Sequence, residues 1–260
     1  MKRMDYNDLL ESESRAKGYA NVYLKGFADK GPVIIDTLLQ LNYFTGKGED
    51  IKTVEGEFHS FCFHQYIQIP YSLRAVFILY NLGYFHEATF IIRHLFERLA
   101  KMKYLINHKD QTSTVWINKP TIILDKKGKK KRLTIKDIFE EVSPGFYDIN
   151  YGKLLSGILH GGGASIMFRV EGKNNEERSI KMGSIWDEKT ATYIVNNFIA
   201  VSFYFLYNFP KFFPNGFSDL ESDLLFQYIG IIDWLKGGMD DHKRKNLKSV
   251  DWYKTMEGFF

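Results

Sequence analysis

The chain has 260 residues, 45% hydrophobic and 25% charged, a balance that suits a globular protein with a sizeable core and excludes a disordered one. Its net charge of +4 permits an anionic partner without requiring one. The single cysteine, Cys62, excludes an intrachain disulfide and a thiolate zinc cluster; between Phe61 and Phe63 it reads as an inert buried thiol, and this cysteine usage fits a reducing cytoplasm.

The opening residues Met1 to Asp8 lead into a polar helix with no apolar stretch behind them, so no secretory signal is expected. Asp5 to Ala28 and Val33 to Phe44 predict two helices, the second closed by Thr45-Gly46-Lys47-Gly48. Glu49 to Ile69 predicts a third, with an aromatic stripe of Phe58, Phe61, Phe63 and Tyr66. Pro70 either kinks that helix or opens a new one over Tyr71 to Leu82, which Gly83 ends. His59 and His64 are five apart, a poor spacing for two ligands on one helical face; both read as core or groove histidines, with no metal and no cofactor expected.

The helix from Glu87 to Ile106 is the most informative. At about 100° per residue, Ala88, Ile91, Ile92, Leu95, Leu99 and Met102 form an apolar arc, with Glu87, His94, Arg98 and Lys101 on the wet side opposite. Arg93 and Glu97 lie on the flank, beside Phe90 and Tyr104, where a neighbouring helix would partly cover them. Arginine before glutamate is the weaker order for a local i,i+4 pair, so helix stability alone is a poor reason for these two residues. They read either as a structural ion pair that sets helix register or as part of a site.

After Asn107, Thr121 to Leu124 and Arg132 to Ile135 predict a β-hairpin whose turn centres on Gly128. The run Lys126, Lys127, Lys129, Lys130, Lys131 and Arg132 at its tip suits phosphate contacts, and equally a solvated edge that blocks strand-to-strand aggregation. Thr134 to Val142 predicts a short helix ended by Pro144-Gly145, and Tyr151 to His160 another, with Ser156 and His160 on its polar side just before Gly161-Gly162-Gly163. Ser165 to Val170 and Arg178 to Ile185 predict a second hairpin. Asp187 caps a long helix to about Phe209; its stretch Tyr193 to Phe209 is short for a membrane span and carries Asn196, Asn197 and Asn208, so a buried helix is expected. Phe209, Phe212, Phe213 and Phe217 form an aromatic connection, and Ser218 with Glu221 has capping-box spacing for a helix through Leu235. The expected organisation is mainly α: a single helical domain over 1–236, with β insertions near 121–135 and 165–185, then a charged tail over 237–260.

The stretch Leu73-Arg74-Ala75-Val76, Gly83-Tyr84-Phe85-His86-Glu87-Ala88, Ile92-Arg93-His94-Leu95-Phe96-Glu97 and Tyr104-Leu105, with Tyr151, Ser156 and His160 later, is similar to a group of prokaryotic domains related to the HEPN superfamily. The resemblance covers roughly Leu73 to His160. It implies a HEPN-like helical bundle with a small β-hairpin insertion, often dimeric, and a metal-independent endoribonuclease of a toxin or phage-defence system, with RNA as substrate and a second copy or a defence-system protein as partner. Under it Arg93, Glu97, Ser156 and His160 become the catalytic candidates, and Lys127, Lys129, Lys130, Lys131 and Arg132 the nucleic-acid-binding ones. The chain departs from the superfamily in one respect: no arginine is followed by histidine in an Arg-x4-6-His spacing. A site would therefore be built across helices, with His160 as acid or base and Arg93 on the phosphate. The alternative is a non-catalytic binding or scaffold module in which Arg93, Glu97 and His160 form an internal polar network.

Overall fold

The computed structural model describes residues 6–23, 25–46, 52–116, 122–124, 128–149, 151, 170–171, 179–180, 186, 188–245 and 259. Eleven helices and two short hairpins account for most of them. Helix α1 is Tyr6–Tyr23 and α2 is Lys25–Thr45, so residues 29–32, which the sequence leaves between its two expected helices, lie inside α2. Pro32 lies inside α2. One lost backbone hydrogen bond there is outweighed by the apolar face that a continuous helix buries, which includes Phe27, Ile34, Leu38 and Leu41.

Helix α3 (Val54–Tyr66) starts later than expected because Thr53 caps it, its hydroxyl accepting from the Gly56 N–H at 2.9 Å. Pro70 falls in the first turn of a separate helix, α4 (Ile69–Asn81), where no intrahelical acceptor awaits its missing N–H. Gly83, at φ 76°, then takes the left-handed turn that lets the chain fold back, and α5 (Phe85–Asn107) packs along α4. After a short turn comes α6 (Thr112–Trp116), which lies against α3.

The first hairpin pairs β1 (Ile122–Leu124) with β2 (Lys130–Arg132) in antiparallel register, Ile123 opposite Lys131. Helix α7 (Ile135–Val142) opens with a full capping box: Thr134 accepts from the Asp137 N–H while the Asp137 carboxylate accepts from the Thr134 N–H. The second hairpin pairs β3 (Val170–Glu171) with β4 (Ser179–Ile180), and the rest of its expected strands lie outside the described residues. So does Asp187, the expected cap of the next helix.

Helix α8 (Glu188–Tyr207) runs through the core beside α5, with Phe198, Val201, Phe203 and Phe205 all buried. No helix among the described residues is long and apolar enough to cross a membrane. The aromatic connection folds into two short helices, α9 (Phe209–Phe212) and α10 (Pro214–Ser218), with Phe209, Phe212 and Phe213 buried and Phe217 packed against the core. Ser218 does not cap the last helix. Its hydroxyl donates to the Asn215 carbonyl and closes α10, while α11 (Ser222–Lys245) begins beyond it. That helix also continues through Gly237 and Gly238, where the sequence predicts a charged tail. Phe259 is fully buried among Phe96, Phe139, Phe146 and Tyr204.

Gly216 lies where α10 crosses the end of α2. A Cβ there would run into the Phe44 carbonyl oxygen, a backbone atom that cannot turn aside. Gly216→Ala is therefore expected to cost about 1–3 kcal/mol through overpacking, read as a lower midpoint of urea unfolding at unchanged slope.

Candidate functional site

Arg93 and Glu97 stand one turn apart on α5, and the residue that unites them comes from elsewhere in the chain. Phe139 on α7 and Phe146 after it pack into the core, with ring centroids 5.4 Å apart, and bring Tyr151 back against α5. The Tyr151 ring lies 4.6 Å from that of Phe139 and is almost wholly buried. Its hydroxyl donates to Glu97 Oε2 at 2.9 Å, and the Arg93 guanidinium carbon lies 4.8 Å from its ring centroid, in cation–π contact.

Glu97 forms its ion pair with Lys101 Nζ, 3.1 Å from Oε1, and not with Arg93. The register-setting Arg93–Glu97 pair is thus replaced by a bridge in which Tyr151 touches both. Burial alone would raise the Glu97 pKa, but Lys101 and the Tyr151 hydroxyl outweigh it and hold the carboxyl below its usual range. Burial, reinforced by the Glu97 charge, pushes the Tyr151 phenol up. Tyr151 therefore stays a protonated donor to a carboxylate. Arg93 Nε is buried and makes no hydrogen bond among the described residues, so one N–H of the guanidinium is not engaged.

On the other side of Glu97 the side chains assigned to the wet face line a cleft of about 190 Å³ between α3, α5 and α6. His94, Glu97, Arg98 and Lys101 form its α5 wall. Gln65 and Phe61 of α3 and Val115 and Trp116 of α6 close the opposite side. Arg98 is half-buried, with Nη2 donating to Gln68 Oε1 at 2.7 Å and Nη1 to the Gln65 carbonyl at 3.5 Å. Burial lowers the His94 pKa, with the Glu97 carboxylate opposing, so the imidazole is neutral at pH 7.

Sequence periodicity groups His94, Arg98 and Lys101 on one face, but nothing in it marks Trp116 as the wall they face. Ser156, His160 and Gly161 to Gly163 lie outside the described residues, as do Lys126 and Lys127. Lys129, Lys130, Lys131 and Arg132 are exposed on the hairpin, and Lys131 pairs with Asp137 of α7 at 2.5 Å. His59 Nε2 bonds the Thr45 carbonyl at 2.9 Å with its ring edge-on to Phe213, a packing role. His64 is exposed and lies against Trp116. Cys62 is fully buried, and burial raises its thiol well above the ordinary value. Among the described residues no group of three or more His, Cys, Asp or Glu side chains could hold a metal ion.

A second polar node joins α5 to the core end of α8. The buried Asn208 side chain donates to the Tyr204 and Phe259 carbonyls, both at 2.8 Å, and accepts from Lys103 Nζ at 3.2 Å. Burial, and next the nearby Lys211 charge, pull the Lys103 amine down to about 8. Compared with family models, with curated proteins and with solved structures, the chain matches none.

Proposed function

We propose that this chain is a HEPN-like metal-independent endoribonuclease, an effector of a prokaryotic toxin or phage-defence system that works as a homodimer or with a defence-system partner. The observation that carries the reading is the meeting of Arg93, Glu97 and Tyr151, since it draws together residues 54 apart in the chain. These are the residues on which the family resemblance rests. His160 follows Tyr151 by nine positions, so the segment that bears the proposed acid or base is tied at its start to the proposed phosphate ligand.

In this reaction the RNA 2′-oxygen attacks the adjacent phosphorus while its proton passes to a base. The bond from phosphorus to the 5′-oxygen breaks, and that oxygen takes a proton, leaving a 2′,3′-cyclic phosphate. His160 serves as acid or base, and Ser156, four positions before it in the chain, belongs to the same site. Arg93 stabilises the charge that builds on the phosphate oxygens. Glu97 acts through Tyr151, fixing the ring on which Arg93 rests. The exposed Lys129, Lys130 and Arg132 offer contacts to the RNA backbone.

The test is incubation of the purified protein with total RNA in a metal-free buffer, beside His160→Ala and Arg93→Ala. Cleavage by the wild type and a loss of about 100-fold or more in His160→Ala are expected. Intact RNA with the wild type, or undiminished cleavage in both variants, would remove the proposal. One observation favours a second reading, a binding or scaffold module: Glu97 already has two partners, Lys101 and Tyr151, as a purely structural carboxylate would. In that case RNA stays intact while changes at Tyr151 still cost stability.

A further inference from the structure

The far end of α5 carries a lysine that the fold sets apart. Lys103 is half-buried where α5 packs on α9, with Nζ 3.2 Å from Asn208 Oδ1. Asn208 is itself fully buried, and its amide nitrogen donates to the Tyr204 and Phe259 carbonyls, each at 2.8 Å. Turning that amide over would set oxygen against two carbonyl oxygens, so Oδ1 is the atom that meets the amine. A locked acceptor therefore fixes where the amine sits.

A second cation stands close by. Lys211 lies one turn beyond Asn208 on α9, its backbone N–H donating to the Asn208 carbonyl at 3.0 Å and its ammonium 5.1 Å from the Tyr207 ring centroid. Burial first, and then the Lys211 charge, make the Lys103 ammonium give up its proton at about 8. At pH 7.5 such an amine is neutral about a quarter of the time, against about one part in a thousand for an ordinary lysine. A weaker base is a poorer nucleophile; with the Brønsted slope of about 0.4–0.5 seen for thiols, a gain on the order of ten-fold survives.

We propose that Lys103 is a site of acylation by small acyl phosphates, its amine aimed by Asn208 and the phosphate leaving group met by Lys211. Two neighbouring cations favour an anionic acyl donor, and the half-buried position favours a small one. The Lys103 nitrogen adds to the acyl carbon, and Asn208 Oδ1 faces the positive charge that grows on it. The bond from that carbon to the phosphate oxygen breaks with its electron pair on phosphate, which takes the proton that nitrogen sheds. The products are an Nε-acyl-lysine and inorganic phosphate, with nothing oxidised or reduced. The new amide keeps one N–H for Asn208 and loses the charge that burial and Lys211 oppose. This goes beyond the ribonuclease reading and does not rest on it, because no cleavage of RNA is involved.

The experiment is a time course of the full chain with acetyl phosphate at pH 7.5, read lysine by lysine by peptide mass spectrometry. Lys103 is expected to be acetylated about ten-fold faster than the exposed Lys129 and Lys130. Between pH 6.5 and 9.5 its rate should level off above about 8, while theirs keeps rising. Acetic anhydride, an uncharged donor, supplies the comparison for Lys211, which is exposed and can be changed without opening the core. Lys211→Met should lower the preference of Lys103 for acetyl phosphate over the anhydride by about three-fold. His160→Ala should react as the wild type does, which separates this result from the fate of the ribonuclease proposal. The proposal fails if Lys103 reacts no faster than Lys129 and Lys130, if its rate climbs alongside theirs to pH 9.5, or if Lys211→Met leaves the preference unchanged.

Discussion

Phe259→Ala is expected to lower folding stability by about 3–5 kcal/mol, the cost of emptying a well-packed aromatic site. The ring is fully buried, with the centroids of Phe146 at 5.1 Å and Tyr204 at 5.5 Å. Its backbone carbonyl also accepts from Asn208, so loss of the ring loosens the node that holds the Lys103 amine. For a chain of this length the loss corresponds to a fall in Tm of roughly 10 °C. Phe259→Leu, which keeps most of the apolar volume, should recover more than half of it. An unchanged melting curve for Phe259→Ala would show that the ring does not belong to the core.

The second large effect is expected at Tyr151, where packing and hydrogen bonding can be separated. Tyr151→Ala removes a ring packed against Phe139, Tyr147 and the Arg93 guanidinium, at a cost of about 3–5 kcal/mol. Tyr151→Phe removes only the hydroxyl that donates to Glu97, and should cost about 1–2 kcal/mol because the carboxylate keeps Lys101 and some contact with water. Urea unfolding of both variants reads the two quantities. In a cycle with Glu97→Gln, coupling of about 0.5 kcal/mol or more is expected, and strict additivity would mean that the 2.9 Å hydrogen bond contributes nothing to the fold.

Much of the helical framework was legible in the linear chain because its signals are local. Gly83 marks the break before α5, and a positive φ there is what the turn uses. The strand–turn–strand pattern around Gly128 is present as β1 and β2, although the second strand is Lys130–Arg132 and not Arg132 to Ile135, and Thr134 opens α7 through the capping box with Asp137. Local signals also misled. The break expected between Ala28 and Val33 is absent, because burial of the α2 apolar face carries the helix through Pro32. Ser218 and Glu221 had the spacing of a cap, but the Ser218 hydroxyl was taken by the Asn215 carbonyl. The charged tail expected from residue 237 begins as helix, since α11 runs on to Lys245.

The candidate site divides along the same line. Helical periodicity by itself determined that Arg93 and Glu97 share the flank of α5 and that His94, Arg98 and Lys101 share a face, since an angle of about 100° per residue follows from the backbone alone. Only the tertiary structure decided what those faces meet: Tyr151 between Arg93 and Glu97, Lys101 as the ion partner of Glu97, and Trp116 across a cleft from Arg98. The same holds for the burial of Phe259 beside Phe146. Such contacts join residues far apart in the chain, and what selects them is the packing of side chains from several helices at once, which no spacing within one helix encodes.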